Sequence, residues 1–264
     1  MNTQVAQEYD TQGDRFSEYI TEFPFGNLED ELFLSALLSE DITGQTVLDL
    51  GGGTGTKARE AIAAGAARVD VLDISVEMMR SGQAETAAAL GEEKASLITW
   101  HAADISKDMS HLPIDKPGSY DLVIIGWAFD HAHDLAEYEG MWRNAAAYLR
   151  PGGRFVGVRV GDPRSATWDG RYGTKTSAFV ERPEEGVLRY RYAILLEPPL
   201  EFEASSLKVS MAGSTEIAER YGFGDFRDVN PAEAALVKAR PDFWRPFVEN
   251  PGFVVFQATK MREG

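Results

Sequence analysis

Val47-Leu48-Asp49-Leu50-Gly51-Gly52-Gly53-Thr54-Gly55 is the stretch whose reading decides the fold. Apolar residues lead into a cluster of glycines, and a helix-forming segment follows at once. That order reads as a buried strand, a tight turn and a helix N-terminus, a place for a nucleotide-like ligand. Glycine suits such a turn because it adopts positive φ and lets backbone approach a ligand with no Cβ in the way.

Working outward, an alternation that fits βαβ units begins at Thr46. Val47 to Leu50 reads as the first strand, Lys57 to Ala64 as a helix and Arg68 to Asp73 as the second strand. Val76 to Leu90 is predicted helical and Ser96 to His101 is the third strand. Tyr120 to Ile125 is a continuous β-branched run of the kind found in a sheet covered on both faces. Leu135 to Leu149 reads as a helix with Leu135, Tyr138, Trp142, Ala145 and Leu149 on one stripe. Pro151-Gly152-Gly153 is expected to stop it, with Arg154 to Val160 as the fifth strand.

The pattern then changes. Asp162 to about Gly186 reads as an aromatic loop, and Leu188 to Leu196 and Leu200 to Val209 as strands separated by Pro198-Pro199. Ser214 to Tyr221 reads as a short helix with Ser214 as N-cap. Phe226 to Val229 and Phe253 to Ala258 would close the sheet. Ahead of Thr46, Tyr9, Phe16, Tyr19 and Ile20 are spaced to share a helical face, and Leu32, Phe33, Ala36 and Leu37 form a second amphipathic stretch. No strong boundary appears, so residues 1–264 read as one domain: a helical lid over 1–45, a ligand-binding core over 46–160, and an insertion with closing strands over 161–264.

Composition narrows the function. The chain of 264 residues has no cysteine, which excludes disulfides, thiolate metal sites and a Cys nucleophile. A formal net charge of −16 argues against sequence-independent binding of nucleic acid, which needs a basic surface. No window approaches the ~18–20 apolar residues of a membrane span, and the N-terminus lacks a signal-peptide pattern. A cytoplasmic protein that binds neither membrane nor nucleic acid is expected, with its oligomeric state open. No His-rich or paired-carboxylate spacing points to a metal.

Spacing separates the nucleotide-like ligands. A phosphate-binding P-loop needs G-x-x-x-x-G-K-[ST], which Gly55-Thr56-Lys57-Ala58 does not supply. A dinucleotide fingerprint needs G-x-G-x-x-G, but Gly51, Gly53 and Gly55 give G-x-G-x-G, and Thr56 stands where the third glycine would fall.

The run from Val47 to Gly55 resembles motif I of the class I S-adenosylmethionine-dependent methyltransferases, usually ending D-x-G-x-G-x-G. Asp49, Gly51, Gly53 and Gly55 match it, while Gly52 stands where Cys, Ala or Ser is more usual. The resemblance runs from Thr46 to about Val160. It implies a Rossmann-like, doubly wound α/β fold with a seven-stranded, mostly parallel sheet, an N-terminal helical lid and an insertion after strand five. It also implies S-adenosylmethionine as cofactor. Asp49 would favour the ammonium end, and Asp73 would bind both ribose hydroxyls, a task for an acceptor-only side chain. Ile74 and Met78 would flank the adenine, although Met78 suits core packing nearly as well. Asp104 would accept from the adenine amino group, with the Ile105 amide at a ring nitrogen and Gly126 beside the cofactor at the end of strand four. Leu149-Arg150-Pro151-Gly152-Gly153 matches the family's turn before strand five.

In open α/β sheets the ligand lies beyond the carboxyl ends of the strands. The acceptor side is therefore sought in Gly126-Trp127-Ala128-Phe129-Asp130-His131-Ala132-His133-Asp134. His131 is the first choice for a general base and His133 the second, with Asp130 able to orient either; a packing histidine is the competing reading. Tyr9, Phe16 and Tyr19 suit a lid, the Tyr9-Asp10 start being similar to the lid of small-molecule members of the family. Trp127, Phe129, Trp168, Tyr172 and Trp244 are candidates for an aromatic acceptor pocket, each equally at home in a core. Arg159 and Arg164 are candidates for an anionic or carbonyl-rich acceptor.

Methyl transfer to O or N of a small aromatic or heterocyclic metabolite, as in secondary metabolism, is the expected activity. The alternative is a cofactor-binding protein of the same fold that catalyses cyclisation or decarboxylation. A nicotinamide-dependent oxidoreductase is disfavoured by the missing glycine.

Overall fold

β-branched and leucine-rich runs line up in the computed structural model, which describes residues 23–182 and 186–262. After helix α1 (Pro24–Leu37) come β1 (Thr46–Leu50), α2 (Thr56–Ala63), β2 (Arg68–Asp73), α3 (Val76–Ala95) and β3 (Ile98–Ala102). Then follow β4 (Tyr120–Gly126), a 3₁₀ turn (Ala128–His131), α4 (Leu135–Tyr148) and β5 (Leu149–Val160). The seven-stranded sheet has the order β3-β2-β1-β4-β5-β10-β9, with β9 (Phe223–Asp228) and β10 (Phe253–Lys260) supplied by the C-terminal part. The strands from β3 to β5 run parallel, and β10 is antiparallel to both of its neighbours. This is the Rossmann-like α/β fold with helices on both faces.

The strand order turns back at β1, which pairs with β2 on one side and β4 on the other. A crevice forms at the carboxyl ends of strands where the order reverses, and that fixes where a ligand can enter. The sheet separates two apolar cores. One holds Phe25, Phe33, Val47 and Ile124 beneath α1, α2 and the C-terminal helices; the other holds Leu48, Val123, Phe129 and Trp142 beneath α4. Leu32, Phe33, Ala36 and Leu37 are all buried, as their helical spacing requires.

Three expectations are corrected. Thr174–Arg182 is a strand, β6, within the stretch read as loop; it pairs antiparallel with β7 (Val187–Ile194), which pairs with β8 (Leu200–Leu207) in a separate three-stranded sheet. β6 is an edge strand with almost every side chain exposed, so it lacks the apolar alternation that marks a strand. Pro151-Gly152-Gly153 lies inside β5 rather than before it. Tyr120 pairs with Leu149 and Leu122 with Arg154, so the intervening residues bulge out of the ladder. Ser214 does not cap its helix: α6 (Glu216–Arg220) starts after Thr215, with no side-chain cap bond, and the short α5 (Lys208–Met211) precedes it. Leu135 is exposed because it opens the first turn of α4, where Asp134 caps the helix by accepting from Glu137 N–H at 2.9 Å.

Helices α7 (Ala235–Ala239) and α8 (Pro241–Glu249) complete the chain before β10. Tyr9, Phe16 and Tyr19, with the rest of residues 1–22 of the expected lid, lie outside the described residues. Among the described residues no helix is long and apolar enough to cross a membrane.

Candidate functional site

The glycine turn closes on itself and on β2. Gly51 and Gly52 both donate backbone N–H to the Leu72 carbonyl, at 2.7 and 3.1 Å, and Gly55 donates to the Gly52 carbonyl at 2.8 Å. Gly53 donates to Asp73 Oδ2 at 2.8 Å, while Ser75 N–H reaches Asp73 Oδ1 at 2.8 Å. The carboxyl ends of β1 and β2 are thereby locked together. Gly51 has φ +74°, and a Cβ there would stand 2.6 Å from the Ala128 Cβ, so only glycine lets this turn pass under the turn after β4.

Between these two turns opens a pocket that is continuous with solvent at its mouth. Its wall brings together Asp49, Gly51, Gly53, Asp73, Ile74, Met78, Ile105, Gly126, Trp127 and His131. Sequence reasoning missed Glu29, Lys57 and Ala103, which also line it. Lys57 is two residues beyond the glycine motif, yet Glu29 arrives from α1 with no motif to announce it.

The electrostatics are anionic. Asp49 is fully buried and its Oδ2 has no partner. Burial pushes its carboxyl up to about 7, the Asp73 charge adds to this, and Lys57 opposes it. Burial also raises Glu29, with Lys57 and the Trp127 side chain pulling the other way. Lys57 is engaged: its Nζ lies 3.1 Å from Asp30 and 3.5 Å from Glu60. Although burial works against its charge, Glu29, Glu60 and Asp30 together raise its pKa. Burial and the Asp30 contact lift Glu60 to about 9, so this second carboxyl keeps its proton near neutrality.

His131 closes the opposite wall. Burial drives its imidazole down to about 4, helped by neighbouring His133, so the ring is neutral at physiological pH. The segment that carries it is held open by Trp127, whose φ of +62° is left-handed and unusual for a bulky residue. His133 is outside the pocket wall; its backbone N–H and Nδ1 both meet Glu137 Oε2, at 3.0 and 3.2 Å. Asp130 touches neither histidine in the way expected. Its Oδ2 accepts from Val160 N–H at 2.8 Å and its Oδ1 from Ser206 at 3.2 Å.

The other sequence candidates lie elsewhere. Gly55 starts α2 at φ +71°, and a Cβ there would overlap the Trp100 ring, so it serves packing rather than the pocket wall. Asp104 sits beside the wall, its Oδ1 accepting from Ser106 N–H at 2.9 Å and Ser106 Oγ at 2.7 Å. Phe129 stacks on Trp142 at 4.8 Å in the core beneath α4. Trp168 packs 4.6 Å from Phe25, and Tyr172 stacks on Trp244 at 4.7 Å with the rings 4° from parallel. Trp168, Tyr172 and Trp244 belong to the core beneath α1 and the C-terminal helices and Phe129 to the one beneath α4, so none of the four lines the pocket. Arg159 pairs with Asp228 at 3.6 Å and lies over the Phe256 ring, while Arg164 pairs with Glu181 at 2.6 Å; neither lines the pocket. Among the described residues no group of three or more carboxylates or histidines is placed to hold a metal.

Residues 47–153, from the lead-in of the glycine turn to the bulge of β5, match the family model described as a methyltransferase domain. Over these residues the chain carries a methyltransferase domain. A comparison with curated proteins finds no match. Solved structures agree in fold. A methyltransferase from Mesorhizobium loti is 23% identical over 88% of this chain and 99% of its own, at TM-score 0.57. The CcbJ methyltransferase from Streptomyces caelestis is 19% identical over 88% and 90%, at 0.61. The Burkholderia thailandensis 1,6-didemethyltoxoflavin-N1-methyltransferase, solved with that compound and S-adenosylhomocysteine, is 17% identical over 98% and 88%, at 0.56.

This methyltransferase domain fits its cofactor by its own chemistry. The orphaned Asp49 oxygen and the glycines 51 and 53, which keep side chains out of the cradle, form a site whose lining cation, Lys57, is already engaged by Asp30 and Glu60, so Asp49 suits a cationic ligand. S-adenosylmethionine supplies a sulfonium charge, an ammonium group and an electrophilic methyl.

Proposed function

We propose that the chain methylates O or N of a small aromatic or heterocyclic metabolite. In this reading Asp73 holds the ribose, Ile74, Met78, Ala103 and Ile105 sandwich the adenine, and Asp104 takes its amino group. Asp49 and Gly126 lie at the amino-acid end. The observation that carries the reading is that Asp49, Asp73, Ile74, Met78, Ala103, Ile105 and Gly126 share one pocket with Trp127 and His131.

Direct displacement needs the acceptor atom in line with the sulfur–methyl bond. The Trp127 ring offers an apolar face to a planar acceptor, and neutral His131 accepts a hydrogen bond from its O–H or N–H. A base held as low as His131 does not deprotonate a phenol beforehand. It takes the proton late, once methylation has made that proton strongly acidic. The C-terminal part, with its second sheet, frames the acceptor side, and residues 1–264 work as one unit. The small-molecule enzyme of Burkholderia thailandensis, which spans a similar length, supports this choice of acceptor class.

Calorimetry with S-adenosylmethionine and S-adenosylhomocysteine, followed by a metabolite screen for S-adenosylhomocysteine release, tests the reading. Absence of binding by folded protein refutes the site; binding without methyl transfer to any acceptor favours the non-methylating alternative.

A further inference from the structure

The turn after β4 carries both acceptor-side residues of the pocket, yet it has little to hold it in place by itself. It is a single 3₁₀ turn of four residues, Ala128–His131, a form with strained hydrogen bonds and no length to share them. Trp127 enters it in a left-handed conformation that is strained in a non-glycine residue. Such a segment keeps one shape only if its surroundings fasten it.

The fastening is Asp130. Its backbone N–H bonds to the Trp127 carbonyl at 2.9 Å, closing the turn. Its side chain leaves the pocket altogether and spans two other elements. Oδ2 takes the backbone N–H of Val160, the last residue of β5, at 2.8 Å. Oδ1 takes the hydroxyl of Ser206 on β8 at 3.2 Å, and the Ser206 oxygen lies 2.9 Å from the Tyr190 hydroxyl on β7. A second tie runs alongside, from Ser205 Oγ to the Ala132 carbonyl at 3.3 Å. Asp130, Tyr190 and Ser206 are all buried. A buried carboxyl costs free energy unless each lone pair is used, so a side chain placed here for filling alone would be apolar.

β7 and β8 belong to the small antiparallel sheet inserted between β5 and the closing strands, and otherwise that sheet shares no strand pairing with the main one. We infer that Asp130 is a positioning residue: through Ser206 and Tyr190 it latches the pocket turn to the inserted sheet, so that the insert sets where His131 and Trp127 stand. The choice of acceptor would then be tuned by changes in the insert that never touch the pocket. The latch rests on the pocket reading above only for what it positions; its geometry is independent of any ligand.

The groups that face Asp130 are Val160 N–H and Ser206, with Arg159 and Tyr138 farther off. Burial raises its carboxyl to about 7, so near neutrality the group holds a proton half the time and can either accept from Ser206 or donate to it. Asparagine reproduces the second arrangement, with a carbonyl that accepts from Val160 N–H and an amide that donates to the Ser206 oxygen.

The test follows the His131 ring by NMR in the full chain, with the His131 signal assigned from His131→Ala. Ser206→Ala and Asp130→Ala release the turn, and the His131 midpoint is expected to rise by at least about one pH unit toward its ordinary value as the ring gains water. Asp130→Asn is expected to keep the wild-type titration. The affinity of Ser206→Ala for S-adenosylhomocysteine is expected to stay within about threefold of wild type, because Ser206 is remote from the cofactor wall. If Asp130→Ala does not fold, Ser206→Ala and Tyr190→Phe decide. A His131 curve in Ser206→Ala that overlays the wild type overturns the latch, and so does an Asp130→Asn curve displaced as far as that of Asp130→Ala. Wild-type protein that fails to bind S-adenosylhomocysteine overturns the site reading instead, and leaves the latch to be judged by the His131 curves.

Discussion

Gly53 donates its backbone N–H to Asp73 Oδ2 at 2.8 Å, so the glycine turn and the end of β2 are one hydrogen-bonded unit across the mouth of the pocket. Asp73 is therefore placed before any ligand arrives, which limits the ordering cost of binding. Asp73→Ala is expected to weaken S-adenosylhomocysteine binding about ten- to a hundredfold, the value of one hydrogen bond to a charged group, about 1.5–3 kcal/mol. Asp73→Asn keeps one acceptor and should fall between. Isothermal calorimetry reads both, and an unchanged affinity in the alanine variant removes the ribose assignment.

Asp49 couples the site to pH. Its carboxyl is raised to about 7 by burial and by the charge of Asp73. A cationic ligand binds the ionised form, so affinity for S-adenosylmethionine should tighten from pH 6 to 8 and level off above, by at most about tenfold per pH unit. Asp49→Asn should bind weakly at every pH and lose that slope. Stability has the opposite sign. Between the unfolded value near 4 and about 7 the folded chain holds a proton that the unfolded chain lacks, so the Asp49 contribution is full below pH 4 and is lost as pH rises to 7. Asp49→Asn is accordingly expected to melt a few degrees higher than wild type at pH 8 while binding less cofactor.

Much of this was legible in the sequence, and the reason is local. From Thr46 to Val160 each element announces itself through a contiguous pattern: a β-branched run for β4, or the glycine cluster between β1 and α2. The same contiguity put Asp49, Asp73 and His131 on one pocket, because the fold places strand ends together. What failed depends on partners distant in the chain. A tryptophan in a loop looks alike whether it lines the pocket, as Trp127 does, or packs on Phe25, as Trp168 does. Glu29 reaches the pocket from a helix that ends before β1, and no spacing within either segment records the meeting. β6 escaped because an edge strand with an exposed face needs no apolar alternation. Lys57 has no place in the glycine pattern; it balances Glu29, Asp30 and Glu60.

Gly52 is the departure from the family pattern, and its geometry explains the choice. A Cβ at this position would stand 2.6 Å from Asp49 Oδ2 and 2.8 Å from a Val71 methyl carbon. The Asp49 side chain occupies the room that an alanine or serine methylene would take. Gly52→Ala is therefore expected to displace Asp49 and to cost about 1–3 kcal/mol of stability by overpacking. Pairing it with Asp49→Ser should recover most of that loss, which a comparison of denaturant midpoints would show. Additive losses in the double variant would mean that Val71, not Asp49, is the obstruction.

His131 decides what kind of catalyst this is. Its imidazole is lowered to about 4 by burial, so it is neutral throughout pH 6 to 8 and protonates only in more acidic solution. A rate controlled by His131 should therefore stay level over that range at saturating cofactor, where an ordinary histidine would impose a fall below 6.5. For a hydroxyl acceptor, His131→Ala should lower turnover by about 10²–10⁴ with little change in cofactor affinity. For an amine that reacts as the neutral base, the loss should be nearer tenfold, because only the orienting hydrogen bond is gone. Turnover of the alanine variant at wild-type rate on every accepted substrate would make His131 a packing residue, and the low pKa a mere consequence of its burial.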